Sequence, residues 1–498
     1  MRNFIATLVL LTAVAKPVSA AAPNIVFIIA DDASLKLGET YGCDWVKTPN
    51  IDKLAKAGLT FDNCYVPTSK CAPTRAAILS GRNPWQNGQA ANHQNYFPSD
   101  LPTFTEALTA QGVYCASTGK VWGPGKSETA AGEKRDFDIH SDLSKRKAPG
   151  ERLADFLKSR PQDKPFFYWH GSPDPHRKYE LDSGVAAGKK TSDIDHVPAY
   201  WPDNETIRSD MLDYAIEVER FDAHVGELVQ AIDDAGLRDN TMIVVTSDHG
   251  MPFPRVKGHT YDDAHHVPLV IRWPNGIVKP GRRVEALISA IDFAPTFLEL
   301  DGVDATKAGM HITGRSFVDL LKDNPTTKRP FLLIGRERND VYARPGSPTG
   351  LGYPVRAIRS GDSLYVRNFE PDRWPCGNPE LGLKDTDASP TKALIEALGP
   401  GNKYWEHAFG KRPAEQLFDL SKDPDCVTNL ATDPAHAAQL KELNQELMAE
   451  LKRQQDPRAI GGGEAFDSYP TVKPAPAGWD GGDAPATPPQ KRRAAAAK

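Results

Sequence analysis

The sequence predicts an α/β fold built on a large, mainly parallel sheet, followed by a smaller α+β domain with a short antiparallel sheet. Two features support this. Up to about residue 325, short apolar, β-branched runs alternate with segments of helical period. Beyond it, short strand-like runs succeed one another and lead into one long helix. Residues 24–30 (NIVFIIA) are continuously apolar, as in a strand covered on both faces, and Asp31-Asp32 follow directly. Thr48-Pro49 opens a helix that Gly58 closes, with Thr as cap and Pro at the first helical position. A second helix is expected at 73–79, two residues past Cys71, and a third at 103–110 before a strand at 114–117. Then come a strand at 166–170, a long helix at 208–235 closed by Gly236, a strand at 241–246 running into Ser247-Asp248-His249-Gly250, and a strand at 267–273. Runs at 330–334, 354–358 and 363–366 and a helix at 434–455 make up the second domain.

The chain has 498 residues, 40% hydrophobic and 25% charged, enough for two or three domains with a sizeable core. Its net charge of -5 gives no global attraction for nucleic acid or an acidic membrane. An anionic ligand therefore needs a local cluster of basic side chains. A basic start, an apolar run at 4–15 and the small residues Val18-Ser19-Ala20 read as a secretory signal peptide cut after Ala20, which implies an exported protein. No other segment is long and apolar enough to span a bilayer. The six cysteines are too sparse for a disulfide scaffold, leave room for one or two bridges, and include no CxxC pair.

Chemistry concentrates in two constellations. Cys71-Ala72-Pro73-Thr74-Arg75 runs on to Gly81-Arg82. A side chain at a helix start meets unpaired backbone N–H groups, which favour an anion. Arg75, one helical turn on, shares the face of Cys71. Asp31, Asp32, Asp248 and His249 sit at the carboxyl ends of two expected strands, where α/β sheets bind ligands. Carboxylates gathered there repel one another unless a cation joins them, and oxygen-rich ligation suits calcium or magnesium.

The Cys-x-Pro-x-Arg run with its Gly-Arg extension resembles the signature of the sulfatase family, and the resemblance covers about residues 23 to 455. It implies an alkaline-phosphatase-like sandwich and a formylglycine (3-oxoalanine) made from Cys71 by a maturation enzyme. It further implies one Ca2+ held by Asp31, Asp32, Asp248, His249 and position 71. Arg75 would hold the hydrated aldehyde, one hydroxyl of which attacks sulfur while the other later expels sulfate. Lys120, after Gly119, and Lys257, nine residues before His266, match sulfate-binding lysines of the family. His176, in Asp174-Pro175-His176, matches a proton donor to the leaving group. Relatives often carry a His two or three residues past the Lys120 equivalent. This chain has Trp122 and Gly123 there, so that role is either missing or supplied elsewhere, by His259 or His265. Thr74 stands where Ser is commoner.

Residues 21–325 are thus the expected catalytic domain, 326–455 a substrate-binding subdomain, and 456–498 a Pro/Gly/Ala-rich tail of disordered composition. His93-Gln94, Asp174 to Arg177 and 251–254 resemble the heparan N-sulfatase (sulfamidase) branch. With Arg338 and Arg356 in Arg- and aromatic-rich stretches, they suggest a sugar-binding set of His93, Asp174, Arg338 and Arg356. The expected substrate is a sulfated oligosaccharide or polysaccharide, N-sulfoglucosamine first and an O-sulfated sugar second. A phosphodiesterase or phosphonate hydrolase of the same superfamily, or an inactive glycan-binding protein with unmodified Cys71, are the rival readings.

Overall fold

The computed structural model describes residues 22–127, 147–326, 328–477 and 479. The expected signal peptide at 1–20 and the end of the tail lie outside the described residues.

Seven strands form the first sheet: β1 (Asn24–Ala30), β2 (Leu59–Tyr65), β3 (Tyr114–Gly119), β4 (Phe166–Gly171), β5 (Thr241–Ser247), β6 (His266–Arg272) and β7 (Arg282–Ser289). They lie in the order β3-β4-β1-β5-β6-β2-β7, all parallel except β6. β1 is central, with Ile29 opposite Gly171 of β4 and Thr246 of β5.

Side chains alternate faces along a strand, and β1 feeds both layers of the core. Val26, Ile28 and Ala30 join one cluster with helices α1 (Pro49–Lys56), α4 (Pro149–Ser159) and the 30-residue α5 (Glu205–Asp234). Ile25, Phe27 and Ile29 join the other with α2 (Cys71–Ser80), α3 (Phe104–Ala110) and α6 (Phe293–Leu300). This doubly covered sheet with its small second sheet is the alkaline-phosphatase-like architecture the sequence implied.

The second sheet is antiparallel, β8 (Phe331–Arg336), β9 (Val355–Ser360), β10 (Ser363–Asn368) and β11 (Glu415–Asp419), in chain order. One face packs on Tyr65 and Tyr261 of the first domain. The other covers Leu443, Leu447 and Leu451 of α7 (Ala437–Arg453), together with Trp85 and Phe466.

Two details differ from the sequence expectation. Helix α2 begins at Cys71 itself, because extended Lys70 is its cap and Pro73 falls in the first turn, where a missing N–H costs nothing. Residues 456–477, expected as part of a disordered tail, carry short helices at Pro457–Ile460 and Ala465–Ser468. Composition alone overlooked their anchors: Asp456 and Phe466 are buried. All six cysteines are buried and unbridged.

Candidate active site

The carboxyl ends of β1 and β5 bring Asp31, Asp32, Asp248 and His249 together, all buried. The Asp248 N–H donates to Ala30 O (3.2 Å) and the Asp32 N–H to Asp248 Oδ1 (3.1 Å), which locks the two loops together. Asp32 adopts a left-handed backbone (φ 78°). That costs a non-glycine residue about 1–3 kcal/mol, a strain typical of functional turns.

Cys71 enters this cluster from the start of α2. Its Sγ lies 3.3 Å from His249 Nε2 and 4.0 Å from Asp32 Oδ1. Ligand atoms of Asp31, Cys71, Asp248 and His249 all lie within 4.8 Å of one another, and Asp32, Cys71 and His176 form an overlapping group. Burial, followed by the Asp31 charge, pushes the Cys71 thiol far up, so the unmodified side chain is an un-ionised thiol.

The set fits a divalent cation on one observation in particular. His249 Nδ1 donates to the Gly250 carbonyl (3.0 Å), which leaves Nε2 as the lone-pair nitrogen. That lone pair faces Asp32 Oδ1 at 3.1 Å. Two acceptors face each other there, and a cation between them resolves the repulsion. Burial also lowers the His249 pKa, keeping the ring neutral as a ligand must be.

Three cations ring the acids. Lys120 Nζ contacts both oxygens of Asp31 (2.8 and 2.7 Å), Lys257 Nζ contacts Asp32 Oδ2 (2.6 Å), and Arg75 Nε donates to Asp248 Oδ2 (2.9 Å). Burial would raise the Asp32 carboxyl; the neighbouring cations, Lys257 first, outweigh it and hold it below its ordinary value. Arg75 also donates to Lys120 O, tying α2 to the end of β3. His176 stands at the mouth, 39% of its side chain exposed, with Nε2 3.9 Å from Asp32 Oδ2.

Sequence reasoning missed three residues here. Lys70, the cap of α2, is buried against Asp340 (3.0 Å), and Asp387 contacts Lys257 (2.9 Å). Lys70 was visible beside Cys71, but Asp340 and Asp387 come from irregular segments of the second domain with no motif.

The sugar-binding set divides. His93 reaches the rim, its Nδ1 3.2 Å from Asp340. The Asp174 carbonyl accepts from Asp31 N–H (3.1 Å), but its carboxylate turns to Arg220 and His224 on α5. Arg338 and Arg356 are not brought to the cluster. Arg338 donates to Tyr469 O (3.1 Å), and Arg356 is clamped by Asp456 (2.7 Å) and Glu337 (2.7 Å) inside the second domain. Both guanidiniums are consumed by internal partners. His259 and His265 do not replace the absent histidine either. His259 Nε2 faces Cys376 Sγ (3.1 Å), and both His265 nitrogens face main-chain carbonyls.

A buried Cys at a helix start, facing acids, an imidazole and basic side chains at strand ends, defines an anion-ester hydrolase. The sulfatase family model matches residues 23–303, more than half of the chain, and the protein belongs to the sulfatase family. An ulvan-active sulfatase of Formosa agariphila is 26% identical over 85% of this chain and 74% of its own length. Human N-sulphoglucosamine sulphohydrolase is 27% identical over 85% of this chain and 89% of its own. A solved chain in complex with its substrate D-glucosamine-2-N,6-O-disulfate superposes with a TM-score of 0.63 at 21% identity, covering 88% of this chain and all of that one. The relatives do not single out the N-sulfatase branch, since ulvan-active and N-sulfo enzymes match equally broadly. The protein is a sulfatase-type hydrolase acting on sulfated substrates. No helix among the described residues is long and apolar enough to cross a membrane.

Proposed function

We propose that this protein is an exported, calcium-dependent glycan sulfatase that uses a formylglycine at position 71, with N-sulfoglucosamine as its first-choice substrate. The observation that carries the calcium reading is the His249 lone pair facing Asp32 among acids. Asp31, Asp32, Asp248 and His249 Nε2 would hold the ion, which neutralises negative charge at the sulfate and at position 71. Formylglycine supplies the hydrated aldehyde as nucleophile.

The chain's own residues do the rest. Arg75 and Lys120 lie beside position 71 and hold negative charge there. Lys257, between Asp32 and Asp387, grips a sulfate oxygen. Exposed His176 protonates the departing atom. His93 and Asp340 at the rim contact the sugar. The segments His93-Gln94, Asp174 to Arg177 and 251–254, which resemble the N-sulfatase branch, support the substrate choice.

The test is sulfate release by matured protein from N-, 2-O-, 3-O- and 6-O-sulfated glucosamine, with mass spectrometry of the tryptic peptide containing position 71. Release from the N-sulfated sugar, abolished by a calcium chelator and restored by calcium, is expected. Turnover confined to an O-sulfated sugar replaces the substrate. A fully alkylatable Cys71 after expression with a maturation enzyme, and no release, sinks the proposal.

A further inference from the structure

A small cavity where the second sheet packs on the first domain has no part in sulfate chemistry. Thr260, Tyr261, Arg336, Tyr353 and Arg412 are on its wall, and about 10 Å³ is open to the centre of a water-sized sphere. That is room for about one particle of that size. Four buried atoms on these residues, Arg336 Nε, Arg412 Nε, Tyr353 Oη and Thr260 Oγ1, have no hydrogen-bond partner among the described residues. Folded proteins rarely leave such groups unpaired. Here four such atoms belong to residues that line one void.

Charge selects the occupant. Arg255, Arg336, Arg344 and Arg412 are all buried here. Among the described residues, Asp385 is their one carboxylate partner, bridging Arg336 (3.0 Å) and Arg344 (2.5 Å). Arg255 and Arg412 direct their Nη groups to the carbonyls of Glu406, His407 and Cys426. Burial holds the guanidinium pKa of Arg255 and Arg336 below its ordinary value. At Arg75 and Arg356 burial is outweighed by Asp248 and Asp456, and both lie above it. Neighbouring His259 stays neutral through burial and the same arginines, and burial raises the Cys376 thiol. Neither supplies an anion.

We propose that this cavity binds one halide ion, chloride in ordinary media, ligated by Arg336 Nε, Arg412 Nε and the hydroxyls of Tyr353 and Thr260. A water molecule would accept from the two Nε–H groups and donate to the two hydroxyls, but it brings no charge to four buried arginines that share one carboxylate. A halide accepts from all four and restores the missing negative charge. The site also braces the catalytic domain. Arg336 and Asn339 both donate to the carbonyl of Gly258, the residue after Lys257.

The experiment uses the full chain, purified with gluconate in place of chloride and crystallised with sodium bromide. One anomalous bromine peak inside the cavity is expected, and bromide should raise Tm by several degrees over gluconate at equal ionic strength. Thr260→Val and Tyr353→Phe each remove one donor without altering charge, and each should at least halve that halide-specific rise. An ordered water without anomalous signal overturns the proposal. So does a phenolate absorbance band at neutral pH that Tyr261→Phe abolishes, because Tyr261 would then supply the counter-charge itself. Arg255 lies 3.8 Å from that ring.

Discussion

Arg75 in the first domain and Arg356 in the second are both fully buried, and each is held by two acids. Arg75 takes Asp248 and, at 3.7 Å, Asp31; Arg356 takes Asp456 and Glu337. The difference lies in what the acids face on their other side. Asp248 and Asp31 turn toward Cys71 and His249. Glu337 meets a second arginine, Arg458 (2.9 Å), and Asp456 caps the helix that follows it. The same clamp is chemistry where its acids border a cleft and architecture where they are closed off.

The largest effect should come from breaking the closed clamp. Arg356→Met leaves Asp456 and Glu337 buried with half their counter-charge, so stability should fall by about 3–5 kcal/mol, read by urea unfolding. Turnover per folded molecule should stay within a factor of about two. Arg75→Lys should show the reverse, with sulfate release down about a hundred- to a thousandfold and a much smaller loss of stability. If both variants fail in stability alone, the proposed division between them is wrong.

Acid should sharpen the contrast in another way. Burial lowers the His93 pKa to about 4 from 6.5, so the folded protein keeps it neutral while the unfolded chain takes up a proton. That contribution is complete above pH 6.5 and is lost as pH falls toward about 4. The slope should approach about 1.4 kcal/mol per pH unit. His93→Gln should flatten the curve by that amount. An unchanged slope would show that His93 is not neutral in the folded state. The smallest effect is expected at Thr74, whose hydroxyl donates to Thr68 O (2.6 Å). Serine keeps that bond but loses a buried methyl, so Thr74→Ser should cost about 0.5–1.5 kcal/mol of stability and leave turnover within a factor of about two.

Most of the first domain was legible because its signals are local. A run such as 24–30 can be little but a doubly covered strand, and acids placed directly after such runs are carried to one edge of the sheet. Cys71 and Arg75 share a helix, so their spacing fixes their common face. The pairings of Lys70 with Asp340 and of Lys257 with Asp387 were invisible for the opposite reason: irregular segments with no period bring in both acids. Arg338 and Arg356 misled because Arg- and aromatic-rich stretches look alike whether they bind a sugar or one another. Their partners, Tyr469 and Asp456, lie in a stretch whose composition suggested no structure at all.

The contact between Arg356 and Asp456 also decides where the polypeptide tolerates shortening. A protein ended at residue 455 would retain α7 yet leave the buried Arg356 guanidinium with Glu337 as its one remaining acid. It would also lose Asp467, which Arg373 (3.1 Å) reaches, and the carbonyl of Tyr469 that anchors Arg338. Ended after residue 477, it would keep every one of these attachments.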